Sequence, residues 1–289
     1  MSDPVLAHEL VEAGAERTSG SRAGRAPGTE RWIYFLHGIF GAGRNWRSVA
    51  RRWVDADGGR GGVLVDLRLH GDSTGFPPPH TIQACADDVA RLARSTGPAP
   101  SGILGHSFGG KVALAFASGA KGLDTVWVID STPAARAPEG SAVRMLEALR
   151  AERGPFGSRE EAERALGAHG FPKPVARWMS TNLAPTGEGW RWRLDLDGME
   201  ALLTDFFHVD LWAVVEEPPP GMVLHFVKAT RSPVLSEEAC ERIEAAGTAT
   251  GRVYLHRVEG GHWLNVDAPD AILDLLDSAE RGRAGGHGS

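Results

Sequence analysis

The chain is poor in cysteine, with two in 289 residues, Cys85 and Cys240. Two thiols cannot build a disulfide framework, and neither lies in the paired Cys/His spacing of a zinc site. No metal and no other cofactor is expected, and a reducing compartment is the default. Long apolar runs are also missing. None approaches the roughly 20 residues needed to cross a bilayer. The opening stretch, MSDPVLAHELVEAGAER, carries acids and lacks the apolar core of a secretory signal. A basic excess is absent as well. The net charge is −6, which argues against nucleic acid as a partner. These absences predict a cytoplasmic protein with no membrane span. Arg44, Arg47, Arg51 and Arg52 read as one solvated helix face. No feature speaks to oligomeric state.

What is present is a large apolar fraction, 42%, enough for a sizeable core. Short apolar, largely β-branched or aromatic runs at 32–36, 63–65, 102–104, 125–129, 223–227 and 253–255 read as buried strands. Such runs suit a parallel sheet covered on both faces. Helical stretches at 45–53, 81–93 and 107–117 alternate with the first strands, and Thr81 is a candidate N-cap. Alternating strands and helices predict an α/β fold with a mostly parallel sheet flanked by helices.

The alternation stops after Asp130. Residues 133–217 show helical and loop patterns and no clear strand, with candidate helices at 141–150, 159–166, 174–183 and 199–214. Pro218, Pro219 and Pro220 close this stretch as a stiff linker. The predicted organisation is a core of 1–132 and 218–280, an inserted helical cap of 133–217, and a flexible Gly-rich tail of 281–289. Residues 19–28 are expected to form a mobile loop. The cap aromatics Trp178, Trp190, Trp192, Phe206, Phe207 and Trp212 divide between packing and an apolar pocket, and His208 reads as a surface residue.

The sharpest signal is Gly105-His106-Ser107-Phe108-Gly109, directly after a strand run and before a helical run. A serine on such a turn has a strained backbone and an exposed hydroxyl at a helix N-terminus. Small residues two positions to either side avoid clashes. A serine hydroxyl needs a base. In proteins built around this turn the chain order is serine, acid, histidine. His262, in Gly260-Gly261-His262-Trp263, follows the last strand run and is the expected base. His225 and His256 lie within strand runs and are expected to pack. Two oxyanion donors are needed. One is the Phe108 N–H. The second should come from His37-Gly38-Ile39-Phe40-Gly41, with Ile39 preferred and Phe40 next. His37, Gly38, His106 and Trp263 are candidate substrate contacts.

The acid is less direct. The loop at 228–233, where it usually sits, holds no Asp or Glu, and Glu237 and Glu238 read as the first turn of a helix capped by Ser236. Asp130, at the end of the 125–129 strand, is the favoured alternative, with Ser232 as a supporting group.

Six stretches then carry a family resemblance: LHGIFGAGRNW (36–46), VDLRLHGDS (65–73), GHSFGGKVAL (105–114), VIDSTP (128–133), KATRSPVL (228–235) and GGHWLNVDAPD (260–270). In this order they resemble the lid-bearing esterases of the α/β-hydrolase superfamily, including small bacterial esterases and mitochondrial α/β-hydrolase-domain proteins. The resemblance implies an α/β-hydrolase sheet, with the acid taken from the earlier strand at Asp130 and the loop serine, Ser232, assisting. Lys-Ala-Thr-Arg before Ser232 departs from that group. Arg68, His70, Gly71, Asp72 and Ser73 match a turn read as structural. The expected function is hydrolysis of a small-molecule acyl ester through an acyl-enzyme. Thioester, lactone and C–C bond hydrolysis on the same triad are alternatives, as is a non-catalytic ligand-binding module.

Overall fold

The computed structural model describes residues 4–14, 31–95 and 98–285. The stretch 19–28, expected as a mobile loop, lies outside the described residues.

Seven strands form the main sheet: β1 (His8–Glu12), β2 (Arg31–Leu36), β3 (Arg60–Val65), β4 (Gly102–His106), β5 (Thr125–Ile129), β8 (Val223–Ala229) and β9 (Val253–Val258). Their spatial order is β1-β3-β2-β4-β5-β8-β9. β1 pairs antiparallel with β3, and every other neighbour pair is parallel. The six expected strands are all present. β1 was not expected, because its HELVE sequence leaves two charged residues on an edge strand and makes no apolar run.

Side-chain alternation splits the apolar residues into two cores. Trp32, Tyr34 and Leu36 of β2 point into one core, with α2 (Ile82–Ser95), α3 (Phe108–Gly119) and α9 (Glu237–Thr250). Ile33 and Phe35 point into the other, with α1 (Arg47–Asp55) and α11 (Pro269–Gly285). Thr81 caps α2, accepting from Ala84 N–H at 3.1 Å. Ser236 caps α9, accepting from Ala239 N–H at 3.2 Å. Of the arginines read as one helix face, Arg47, Arg51 and Arg52 lie on α1 and Arg44 lies in the 3₁₀ turn before it (Gly43–Trp46); Arg47 meets Glu9 and Arg52 meets Asp270. α11 runs to Gly285, so the tail expected to be flexible from 281 is helical up to that point; residues 286–289 lie outside the described residues.

The segment between β5 and β8 holds α4 (Ser141–Ala151), α5 (Arg159–Ala168), α6 (Lys173–Met179), α7 (Leu196–His208) and α8 (Trp212–Glu216). It also contains a hairpin, β6 (Leu183–Thr186) and β7 (Gly189–Trp192), which corrects the expectation of no strand there. Pro185 inside β6 hid it, since proline within a short run argues against a strand. Two expected helices also end early. The 174–183 stretch stops at Met179 and tightens into a 3₁₀ turn over Ser180–Asn182. The 199–214 stretch breaks at Val209, whose backbone is extended, and restarts after Asp210 accepts from Trp212 N–H at 3.0 Å.

Candidate active site

The strand order reverses between β2 and β4, the place where open α/β sheets leave a crevice beyond their carboxyl ends. The loop after β2 carries His37 to Gly41, and the turn after β4 carries Ser107. Ser107 has φ of 52°, in the left-handed region. That conformation costs energy in a non-glycine residue and is held by its surroundings. Its own N–H donates to Ile129 O at 2.9 Å, and its carbonyl accepts from Gly110 N–H at 2.9 Å. The turn is closed so tightly that a Cβ on Gly105 would sit 2.0 Å from Gly109 O, and one on Gly109 would sit 2.5 Å from His37 O. Both glycines of G-x-S-x-G are thus steric requirements.

Asp130 follows β5 and is fully buried, with φ of 44°. Its N–H donates to Val227 O at 2.7 Å. Its Oδ2 lies 2.7 Å from His262 Nδ1, and its Oδ1 accepts from Ala229 N–H at 3.2 Å. Burial alone would raise this carboxyl. Hydrogen bonds from His262, Ser232 and Ala229, together with the charge of the imidazolium, outweigh burial and hold it below the usual Asp value. The sequence reading brought Asp130, His262 and Ser232 together, and the structure has them in one network.

The loop after β8 supports that network without adding a carboxylate. Lys228 is buried and donates from Nζ to Ser232 O at 3.0 Å and Leu235 O at 2.8 Å. Arg231 turns away to pair with Glu259, while its N–H donates to Gly260 O at 3.0 Å. The departure from the family pattern at 228–231 thus braces the loop and points no charge at Asp130. Glu237, at the start of α9, faces Arg257 at 3.4 Å and Lys228 Nζ at 3.9 Å, so it meets the brace of the loop and not Asp130 itself.

His262 sits between β9 and the short α10 (Leu264–Asp267). Gly261 N–H donates to Asp267 Oδ2 at 2.8 Å, where a Cβ would collide. His106 is buried against it, ring centroids 4.6 Å apart. Its Nε2 donates to the His262 carbonyl at 2.7 Å. Burial lowers the His106 pKa, so the ring is neutral and serves the His262 loop. His106 was expected to touch substrate; it lines the cavity below, but its donor holds the backbone.

The His37–Gly41 loop is built on two further neutral histidines. His37 Nδ1–H donates to Gly38 O at 2.8 Å, and Nε2 accepts from Leu67 N–H at 3.0 Å. His70 Nδ1–H donates to Arg68 O at 2.9 Å, and Nε2 accepts from Phe40 N–H at 3.1 Å. Burial pushes His37 down to about 4 and His70 to about 3. Two expectations change here. The Phe40 N–H, the second choice of oxyanion donor, is committed to His70. His37 lines the cavity, yet both its nitrogens brace the loop. The structural reading of the 68–73 turn holds, with Arg68 paired to buried Asp88 at 2.7 Å.

A cavity of about 400 Å³ opens over Ser107 and His262. Gly38, Ile39 and Trp263 line it from the core, and Met145, Phe171, Val175 and Trp178 from the inserted segment. Of the cap aromatics named from sequence, Trp178 lines the cavity. Trp192 packs with Phe156, and Phe206, Phe207 and Trp212 are buried in the core. His208 is exposed. His225 of β8 stacks on Trp127 at 4.1 Å and meets His256 of β9 at 3.1 Å, as expected of packing residues. One positioning residue escaped the sequence reading. Asn182, buried in the inserted segment, reaches the loop after β2 and donates to Phe40 O. No spacing or motif marks it.

Among the described residues no cluster of three or more His, Cys, Asp or Glu could hold a metal, and no helix is long and apolar enough to cross a membrane. Comparison with known proteins gives a consistent picture. The model of the "Alpha/beta hydrolase family" matches residues 33–275. The chain is 27% identical over 252 residues to the sn-1-specific diacylglycerol lipase ABHD11 of Mus musculus, covering 85% of this chain and 80% of that protein. It is 29% identical over 205 residues to Lipase LipV of Mycobacterium tuberculosis, covering 69% and 74%. Among solved structures, a marine microorganism esterase superposes with a TM-score of 0.76 at 21% identity, covering 96% of this chain and 99% of that one.

Proposed function

The chain belongs to the alpha/beta hydrolase family, and from that premise we propose that it is a serine esterase that hydrolyses carboxylic esters through an acyl-enzyme. Ser107 is the nucleophile, His262 the base, and Asp130 the acid, with Ser232 in support. The single observation that carries this reading is the 2.7 Å contact of Asp130 with His262 Nδ1, which leaves Nε2 of the ring for the serine side of the site.

In the mechanism, His262 takes the Ser107 proton as the hydroxyl attacks the ester carbonyl. Asp130 keeps the Nδ1 proton in place and stabilises the imidazolium; it does not itself become protonated. The N–H groups of Ile39 and Phe108 receive the oxyanion, with Phe108 at the first turn of α3. His262 then protonates the departing alcohol, and a water activated by the same ring releases the acid. The names of the lipase relatives support an apolar acyl half, as do Met145, Phe171, Val175 and Trp178 around the cavity. The segment 133–217 acts as a cap that supplies those four side chains, and α4 and α6 set the acyl specificity.

The test is a chain-length series of p-nitrophenyl esters and acyl thioesters, run on wild type and Ser107→Ala, with fluorophosphonate labelling. Wild type should turn over esters and label at Ser107. Turnover by Ser107→Ala, or an unlabelled wild type, overturns the assignment. Faster thioester than ester turnover at matched acyl chain moves it to a thioesterase.

A further inference from the structure

The inserted helix α6 has a second surface feature beside the cavity. Lys173, Pro174, Arg177, Trp178 and Thr181 line an open depression on its outer face. Pro174 and Trp178 also line the cavity over Ser107, so they form a wall shared by the two. On the cavity side of that wall, Arg144 of α4 stands exposed at the rim.

Lys173 and Arg177 thus lie on one side of an apolar ridge, and Arg144 lies on its cavity side. Among the described residues none of Arg144, Lys173 and Arg177 has a carboxylate within ion-pair distance. Elsewhere on α4 the pattern is different: Arg150 pairs with Asp197 at 2.7 Å and Glu200 at 2.9 Å. Cations held near a cavity without acidic partners keep their full attraction for an incoming anion.

Resting on the esterase reading above, we propose that this rim binds a phosphate carried on the alcohol or thiol half of the substrate. The cavity itself is lined mostly by apolar side chains and suits the acyl half. The half that leaves passes Arg144 on the cavity side, and the depression with Lys173 and Arg177 adjoins the cavity across the shared Pro174 and Trp178 wall. Lys173 and Arg177 share one depression and match a phosphate dianion better than a single carboxylate, and arginine offers it paired donors. The chemistry is unchanged by this contact. The acyl C–O or C–S bond breaks, a C–O bond to water forms, the proton ends on the alcohol or thiol, and the phosphate leaves intact.

Two matched substrate pairs test this. Butyryl-coenzyme A is compared with butyryl-N-acetylcysteamine, and a lysophosphatidate with the monoacylglycerol of the same chain. Wild type should favour the phosphate member at low salt, and the preference should shrink as salt rises. In the double variant Lys173→Ala/Arg177→Ala the ratio of kcat/KM within a pair should fall about tenfold, the scale of two exposed charge contacts. Preference in one pair names the source of the phosphate; preference in both makes phosphate itself the determinant. No preference in either pair, or equal losses on both members, overturns the proposal. The same comparison is read as equilibrium binding to Ser107→Ala by tryptophan fluorescence. That arm separates the two ideas: an inactive wild type that still binds the phosphate member more tightly removes the esterase assignment and keeps the subsite.

Discussion

Asn182 Nδ2 donates to the carbonyl oxygen of Phe40 at 2.9 Å, crossing from the inserted segment to the loop that presents Ile39. Both groups are buried. The contact links the inserted segment that lines the cavity to the loop whose Ile39 N–H is the proposed oxyanion donor. Position of that backbone is a transition-state property.

Asn182→Ala should therefore lower kcat by about tenfold, an order typical of a loosened oxyanion donor, and change KM less than kcat. Steady-state kinetics on one ester check this, with circular dichroism to show an intact fold. A rise in KM with kcat unchanged would make Asn182 a substrate contact instead.

Asp130→Asn should reduce kcat by about 10³–10⁴, because an amide favours the wrong imidazole tautomer. Glu237→Gln should stay within about twofold, since Glu237 is exposed and meets Arg257 at 3.4 Å and Lys228 at only 3.9 Å, not Asp130. The reverse ranking would relocate the acid.

Acid should destabilise the fold through the histidines that brace the loop after β2. His37 and His70 are held neutral, with pKa values pushed down to about 4 and about 3 by burial. Unfolded, each titrates near about 6.5. Their contribution is complete above that value and is lost progressively as the pH falls from about 6.5 toward 4 and then 3, because the unfolded chain takes up the protons first. Urea midpoints measured from pH 7.5 to pH 4.5 should decline across this window, and His70→Asn should flatten the decline. A flat profile would mean that these rings are not kept neutral.

Lys228→Met should cost about 1–3 kcal/mol, since it leaves the carbonyls of Ser232 and Leu235 buried without their donor. The loop that carries Ser232 should loosen, so kcat should fall too, though by less than in Asp130→Asn. Thermal unfolding and kinetics on the same preparation measure both.

The legible parts of this protein are those that follow a short local pattern. Each of the six apolar runs has little choice but to be a buried strand, and Gly105, Ser107 and Gly109 read together because the turn forbids a Cβ on either glycine. Asp130 was reached by elimination, since 228–233 contain no carboxylate. The rest depends on contacts distant in sequence. The β6–β7 hairpin hid behind Pro185, β1 behind its charged edge residues, and Asn182 behind the absence of any local signature. The commitment of Phe40 N–H to His70 joins residues 30 apart and cannot be read from either one.

The position of Asp130 has a consequence for assembly of the molecule. Ser107 and Asp130 stand at the ends of adjacent strands joined by one helix, so a single β-α-β crossover positions both. His262 is 132 residues beyond Asp130 and arrives only when the last strand docks at the far side of β8. Closing so long a stretch of chain is slow compared with local crossover formation. Recovery of ester turnover during refolding should therefore lag behind the recovery of sheet structure. Activity in this chain is a timer for its final long-range closure.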